Sequence, residues 1–221
     1  MKKLGLGVLA SGRGTNLQAI IDACAEGRIP AEVRVVVSDV ENALALDRAR
    51  RAAIPAVYLP PGKFKTKLDP GTEAAYARCL KEHCVDLVLL AGFMRILHAG
   101  FLSQFSGRTM NVHPALLPAF PGLDAQRQAL ERGVRFTGCT VHFVDESVDG
   151  GPIILQAVVP VRENDSVATL SERILKEEHK TYCEAVRLFC EGKLKIDGRK
   201  VRILDTPRWG ACGCGRAEGA N

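Results

Sequence analysis

The sequence predicts an α/β fold: a doubly wound, mostly parallel sheet with an antiparallel extension in its C-terminal half. Short apolar runs rich in β-branched residues alternate with helix-like segments through the first half of the 221 residues. These runs are continuously apolar, which is typical of parallel strands that helices cover on both faces. Two later runs are separated by only a few turn residues, and this spacing favours an antiparallel pair.

The parallel part is expected to begin almost at the N-terminus. Its five strands, in chain order, are LGLGVLA (4–10), EVRVVVSD (32–39), PAVYLP (55–60), VDLVLLAG (85–92) and TMNVH (109–113). Helices are expected between the first four, at 16–26, 43–53 and 72–83. The opening MKKLGLGVLASG has two lysines before an apolar run, but the run is short and leads into a Gly-rich turn, so a strand is expected and not a signal peptide.

The antiparallel pair consists of GCTVHFVDE (138–146) and PIILQAVVPV (152–161), joined by a tight turn that carries Asp149. A long helix at 167–191 and a terminal hairpin with Asp197 and Gly198 at its turn are expected to follow. The simplest organisation is one domain of two halves followed by a variable tail.

Composition narrows the class of protein. The chain is 47% hydrophobic and 25% charged, as in an ordinary globular domain. A net charge of +5, with 5% aromatic residues and no basic stripe between aromatics, favours a small anionic ligand over nucleic acid. The cysteines of the body are scattered singly, and no apolar run is long enough to cross a membrane, so a soluble, cytosolic protein without disulfides or metal ligands is expected.

The loop SGRGTN (11–16) follows the first predicted strand and precedes the first predicted helix. Its glycines let a ligand approach the backbone, and free N–H groups at a helix start favour an anion. The loop lacks the Gly-Lys-Thr/Ser of a triphosphate loop, and Leu17 stands where a dinucleotide fingerprint requires glycine. A phosphomonoester suits it better, with a plain turn capped by Thr15 or Asn16 as the alternative.

Three further residues are candidates for chemistry. Asn111 and His113 end the fifth predicted strand and, two residues apart, project from the same side of it. An amide beside an imidazole can stabilise an oxyanion and move a proton, and Asp149 could orient that imidazole or act as a base. Local hydrogen bonds and a simple turn are the structural alternative for all three, and His142 is open between a structural and a supporting role.

Five segments, in this order and at these separations, closely resemble the phosphoribosylglycinamide formyltransferase family, folate-dependent enzymes of purine synthesis. They are ASGRGTNLQAIIDAC, LAGFMRIL, NVHPALLPAFPG, GCTVHFVDESVDGGPIILQ and EEHKTY, and the match runs from about residue 4 to about residue 196. Because several independent motifs agree, the resemblance is specific.

The resemblance implies a set of site residues. The catalytic residues are Asn111, His113 and Asp149. The phosphate and ribose contacts are Gly14, Thr15, Asn16 and Glu178, and the folate contacts are Lys67, Met94, Arg95, Ile96, Leu97, Asn111 and Asp145. Lys67 enters as a substitute, because this chain has KFKTKLDPGTEAAYARCL where many family members carry a folate-contacting arginine.

The implied reaction moves a formyl group from 10-formyltetrahydrofolate to the amine of phosphoribosylglycinamide, with no metal. Asn111 and protonated His113 would stabilise the oxyanion, while Asp149 would keep His113 charged and manage protons through water. The implied organisation is a single domain over 1–196, with a phosphate-binding half (1–108) and a folate-binding, catalytic half (109–196), and a tail over 197–221.

Alternatives remain open at this point. Two alternatives are related enzymes, a 10-formyltetrahydrofolate hydrolase and a methionyl-tRNA formyltransferase, each with an extra domain that this chain is not expected to contain. The third alternative is a non-catalytic folate- or nucleotide-binding module. The expected partners are the phosphorylated glycinamide and folate, and a homodimer is left open. For Cys212 and Cys214 in the tail, a loose terminus is favoured over a metal site or a thiol pair.

Overall fold

The computed structural model describes residues 3–204, and that part of the chain forms nine strands and six α-helices. The strands are β1 (Leu4–Leu9), β2 (Ala31–Ser38), β3 (Ala56–Tyr58), β4 (Leu87–Leu90), β5 (Thr109–His113), β6 (Phe136–Phe143), β7 (Ile153–Pro160), β8 (Leu194–Asp197) and β9 (Lys200–Ile203). The helices are α1 (Thr15–Ala25), α2 (Leu44–Arg51), α3 (Pro70–Glu82), α4 (Ala99–Leu102), α5 (Ala125–Glu131) and α6 (Val167–Cys190), with a short 3-10 helix at Ser103–Phe105.

All nine strands belong to one sheet, in the order β3-β2-β1-β4-β5-β6-β7-β9-β8. Strands β1 to β5 run parallel, β6 pairs antiparallel with β5, and β7 pairs antiparallel with β6. The hairpin of β8 and β9 joins β7 through one parallel pair, Ile153 with Lys200. The predicted parallel sheet with an antiparallel extension is therefore confirmed.

Apolar clusters lie on both faces of the sheet. Leu17 of α1, Leu46 of α2 and Ile174 of α6 belong to one buried cluster. Tyr76 of α3 and Phe101 of α4 belong to the other. Burial on both faces explains why the parallel strands are continuously apolar in sequence.

Local signals set the starts of two long helices. The Asp69 side chain accepts a hydrogen bond from the Thr72 N–H at 3.1 Å, and Pro70 occupies the first helical position of α3. Ser166 caps α6 by accepting from the Thr169 N–H at 3.2 Å, in a reciprocal capping box.

The structure differs from the sequence prediction in three places. Helices α4 and α5 were not predicted, because both are short and lie in loop-like sequence. Strand β6 ends at Phe143 and not at 146, so the segment that carries Asp149 is a nine-residue loop, 144–152, and not a tight turn. The backbone of Gly151 packs directly against the Phe143 carbonyl, where a side chain would not fit, and this contact closes the loop.

The predicted terminal hairpin is confirmed, and it carries the sheet to Ile203. No helix within residues 3–204 is long and apolar enough to cross a membrane. Cys212 and Cys214 lie outside the described residues.

Candidate active site

The candidate residues meet at the carboxyl ends of the parallel strands, where ligands of such sheets bind. Asn111 on β5 pairs in register with Leu90 on β4 and with His142 on β6. The loop after β1 reaches the same edge, because the Ser11 N–H donates to the Gly92 carbonyl at 3.0 Å. Strands β1, β4 and β5 therefore present their ends to one region.

Asp149 lies at the centre of a polar cluster, with its backbone in the left-handed region (φ 52°). One carboxylate oxygen accepts the Gly122 N–H at 2.8 Å and lies 3.2 Å from His113 Nδ1. The other accepts from the Asn111 amide at 3.4 Å and lies 3.7 Å from His142 Nε2. The structure thus brings the three predicted catalytic residues, Asn111, His113 and Asp149, into contact.

His113 is almost fully buried, with 4% of its surface exposed. Its Nδ1 faces Asp149, and its Nε2 lies 2.8 Å from the Phe120 carbonyl oxygen. Two acceptors favour the charged ring, but burial outweighs them, and the pKa of His113 lies below its ordinary value. The ring is therefore mostly neutral near pH 7 before a ligand binds, and an added negative charge nearby would favour its protonation.

Asp149 has the opposite balance. Burial acts to raise its pKa, but the neighbouring His142 ring, the Gly122 N–H and His113 together hold the pKa of Asp149 below its ordinary value. The carboxylate is therefore ionised at neutral pH, as an orienting group or proton acceptor must be.

The loop before α1 has the form expected of an anion site. Gly14 precedes the helix in the left-handed region (φ 68°), and a Cβ there would lie 2.8 Å from the Ala45 Cα atom. The position therefore requires glycine both for its backbone and for its close packing. Thr15 and Asn16 follow as the first two residues of α1, where backbone N–H groups are free of helical partners.

Asn16 and Glu178 are 162 positions apart in sequence but in contact in the fold. The Asn16 amide donates to a Glu178 carboxylate oxygen at 2.7 Å, and both side chains are buried. Burial raises the pKa of Glu178, an effect that the Asn16 amide partly offsets. The Asn16 Oδ1 atom has no hydrogen-bond partner within residues 3–204, so it remains available to a donor such as a hydroxyl group.

The segment 94–97 runs beside the loop at 11–16. The Met94 N–H donates to Ser11 Oγ at 2.9 Å, and the residues Met94 and Ile96 are 54% and 40% exposed. Leu97 is buried in the apolar cluster around α3 and α4, so its side chain cannot reach a ligand and only its backbone could.

Arg95 and Lys67 make contacts that the sequence did not predict. Arg95 donates to the buried Asp39 carboxylate at 2.6 Å and to the backbone carbonyls of Phe64 and Lys65. Lys67 is exposed, pairs through its backbone with Ile96, and places its ammonium group 4.9 Å from the Phe64 ring centre. Arg95 thus holds the lysine-bearing segment against residues 94–97.

Asp145 lies in the Asp149 loop, where its carboxylate accepts the Ser147 N–H at 2.9 Å and the Ser147 hydroxyl group. Sequence reasoning missed the Phe120 carbonyl and the Gly122 N–H, because backbone groups leave no residue-type signal. The pairing register of β5 with β6 would have revealed His142 as a neighbour of Asn111. In the described part of the chain, no group of three or more His, Cys, Asp or Glu side chains is arranged to hold a metal ion.

Comparisons with known proteins identify the family of the chain. The formyl transferase family model matches residues 6–186. The chain is 44% identical over 189 residues to the phosphoribosylglycinamide formyltransferase of Escherichia coli strain K12, covering 86% of this chain and 88% of that protein. It is 45% identical over 195 residues, 88% of its length, to the trifunctional purine biosynthetic protein adenosine-3 of Homo sapiens, of which it spans only 19%.

A solved structure is similar over nearly its whole length. Glycinamide ribonucleotide transformylase 1 from Symbiobacterium toebii superposes with a TM-score of 0.89 at 57% sequence identity. The alignment covers 92% of this chain and 95% of that one. The similarity therefore extends over most of the described fold.

Proposed function

This chain belongs to the formyl transferase family, and on that premise we propose that it transfers a formyl group from 10-formyltetrahydrofolate to the amine of phosphoribosylglycinamide. The observation that carries the proposal is the contact of the Asp149 carboxylate with both Asn111 and His113, close to a phosphate-type loop.

The reaction needs an oxyanion site and a route for one proton. The amine nitrogen attacks the formyl carbon, the carbonyl oxygen gains negative charge, and the tetrahedral intermediate collapses as its bond to the folate nitrogen breaks. Over the reaction the amine loses a proton and the folate nitrogen gains one. Both demands fall on groups that lie within one cluster here.

We assign the oxyanion to Asn111 and His113. The Asn111 amide makes only long contacts, 3.4 Å to Asp149 and 3.3 Å to His142, so it can turn toward a stronger acceptor at little cost. The developing negative charge would favour protonation of His113, whose Nε2–H could then exchange the Phe120 carbonyl for the substrate oxygen. A donor of this kind contributes about 3 kcal/mol to transition-state stabilisation.

We assign proton handling to Asp149. Its pKa lies below the ordinary value, so it is ionised when the amine attacks, and it contacts His113 directly. Asp149 therefore holds the imidazole in place, stabilises its charged form and can accept the ammonium proton directly or through water.

We also propose which residues bind the two substrates. The phosphate would bind the free N–H groups of Gly14, Thr15 and Asn16, and Glu178 with Asn16 would bind ribose hydroxyl groups. Folate would lie on the backbone of residues 94–97, on the exposed Met94 and Ile96 side chains and beside Asp145. In this arrangement Arg95 supports the segment that carries Lys67, and Lys67 supplies positive charge to the glutamate end of folate.

The direct test supplies purified protein with 10-formyltetrahydrofolate, with and without phosphoribosylglycinamide, and follows tetrahydrofolate formation. We expect release only when the glycinamide is present, and Asn111→Ala should lower kcat by about 100-fold or more. Release without the glycinamide would identify a deformylase instead. No release from correctly folded protein would contradict both activities.

We also propose that the enzyme works in the cytoplasm. A phosphorylated substrate is charged and does not cross membranes, so its consumer must share the compartment in which it is made. Fractionation of cells with an antibody against the chain tests this location. The contacts within residues 3–204 do not bear on a homodimer, which stays a prediction.

A further inference from the structure

The loop that carries Asp149 has few anchors. Its two ends are held by strands β6 and β7, and Asp145 bonds only within the loop, to Ser147. Asp149 itself adopts a left-handed backbone conformation, which aspartate tolerates better than most residues other than glycine. The Asp149 carboxylate anchors the loop through the Gly122 N–H, and a contact to the loop backbone would fix its course further.

That contact comes from the edge hairpin of β8 and β9. The Arg199 side chain, at the tip of the hairpin, donates to the Gly150 carbonyl oxygen at 2.8 Å. Among residues 3–204, Gly150 provides the one backbone group of 145–150 that bonds to a residue outside that segment. Gly150 directly follows Asp149, so the bond holds the backbone one peptide beyond the catalytic aspartate.

The hairpin is firm enough to act as a support. It is tied to β7 by the pairing of Lys200 with Ile153, and it is closed by the bond from the Leu204 N–H to the Lys193 carbonyl at 2.8 Å. Leu194 and Val201 pack against the main apolar cluster. Arg199 therefore extends from a hairpin that is held by β7 and by the main apolar cluster.

We propose that Arg199 is a positioning residue for the formyl transfer: its bond to the Gly150 carbonyl holds the loop so that the Asp149 carboxylate stays against His113. The inference rests on the proposed function, because it concerns the same carboxylate. It also assigns a role to the edge hairpin, which lies beyond the residues that the family model matches.

The test compares Arg199→Ala with Arg202→Ala. Arg202 is a matched control, since it lies on the same hairpin and is exposed, and its only ion pair within residues 3–204 is with Asp197, at 2.6 Å. Arg199→Ala should lower kcat about fivefold, on the scale of one hydrogen bond, with KM values little changed. Arg202→Ala should remain within about 1.5-fold of the wild type because exposed ion pairs contribute little. Arg199→Lys, which keeps a donor, should recover at least about half of the loss.

A second readout does not depend on turnover. The chain has five histidines, so the His113 ring can be followed by NMR. His113 is faced by Asp149, by His142 and by the Phe120 carbonyl, and Arg199 bonds to none of these groups. Since the Asp149 charge acts to raise the pKa of His113, a loosened loop should lower that pKa further. NMR titration of the histidine rings measures the change in Arg199→Ala, and Arg202→Ala should show none.

The outcomes separate the two proposals. If wild-type protein transfers no formyl group but Arg199→Ala alone shifts the His113 titration, the positioning role stands and the proposed function fails. If the wild type is active and Arg199→Ala matches it in kcat and titration, the positioning role is wrong. Equal losses in Arg199→Ala and Arg202→Ala would also overturn it, because they would reflect a general effect of the hairpin.

Discussion

Replacing Asp149 by asparagine tests the centre of the proposed site with the smallest change of shape. Asparagine tolerates the left-handed backbone (φ 52°) that this position requires, so the loop should keep its course. One carboxylate oxygen accepts the Gly122 N–H and faces His113, and the other accepts the Asn111 amide. Whichever way the new amide is oriented, its NH₂ group meets a donor.

The magnitude follows from the distance between the charges. Both side chains are largely buried, with 5% of His113 and 12% of Asp149 exposed, and the atoms His113 Nδ1 and Asp149 Oδ2 are 3.2 Å apart. At an effective dielectric constant of about 20, a charged pair at this distance interacts by about 5 kcal/mol. If about half of that is gained only when His113 is charged in the transition state, its loss lowers kcat by about 100-fold.

The assay is glycinamide-dependent formation of tetrahydrofolate, with kcat and both KM values measured at saturating partner substrate. Asp124→Asn is the control, because Asp124 is also an aspartate with a left-handed backbone (φ 56°) but is exposed and makes no side-chain bond to any described residue. We expect Asp149→Asn to remain folded and to bind both substrates, with a somewhat lower unfolding temperature because its NH₂ group meets a donor. Of its kinetic parameters, only kcat should fall.

The result that would refute the reasoning is an Asp149→Asn enzyme with more than about a tenth of wild-type kcat. That outcome would mean that the charge of Asp149 does not contribute to the transition state. A comparable loss in Asp124→Asn would instead attribute the effect to the loops and not to the carboxylate.

Three other predictions follow from single contacts. Gly14→Ala places a Cβ 2.8 Å from the Ala45 Cα atom at a left-handed position, so KM for phosphoribosylglycinamide should rise about tenfold or more in steady-state kinetics. Burial raises the pKa of Glu178, so protonation of this residue favours the folded state. Its contribution to the free energy of unfolding is therefore present at low pH and is lost as pH rises through the raised pKa. Glu178→Gln should therefore raise the melting temperature at pH 7 but not below about pH 4, while KM for the glycinamide substrate increases. Tyr182→Phe removes a buried hydroxyl group that lies 3.1 Å from two strand carbonyl oxygens, and urea titration should show a loss of about 1 kcal/mol in unfolding free energy.

Much of the fold was predictable because its signals are local. Continuous apolar runs between helix-like segments indicated the parallel strands, and Asp197 with Gly198 indicated the terminal hairpin. Helices α4 and α5 were not predictable, because segments of four and seven residues carry too little periodicity to stand out from a loop. The length of the Asp149 loop also escaped prediction, since it depends on where Gly151 packs against Phe143.

By itself, the sequence determined the fold class and the kinds of group at the site. Strand-end placement paired Asn111 with His113, and the resemblance to formyltransferases added Asp149, Asn16 and Glu178. The identity of these functional groups follows from residue type, spacing and motif order.

Only the tertiary structure decided how those groups affect one another. It placed Asp149 between Asn111 and His113, buried His113 so that its pKa falls, and committed Arg95 to Asp39. The physical reason is that charge, burial and hydrogen-bond partners depend on distances between segments that are remote in sequence. Those distances are set by sheet register and helix packing, and no local pattern encodes them.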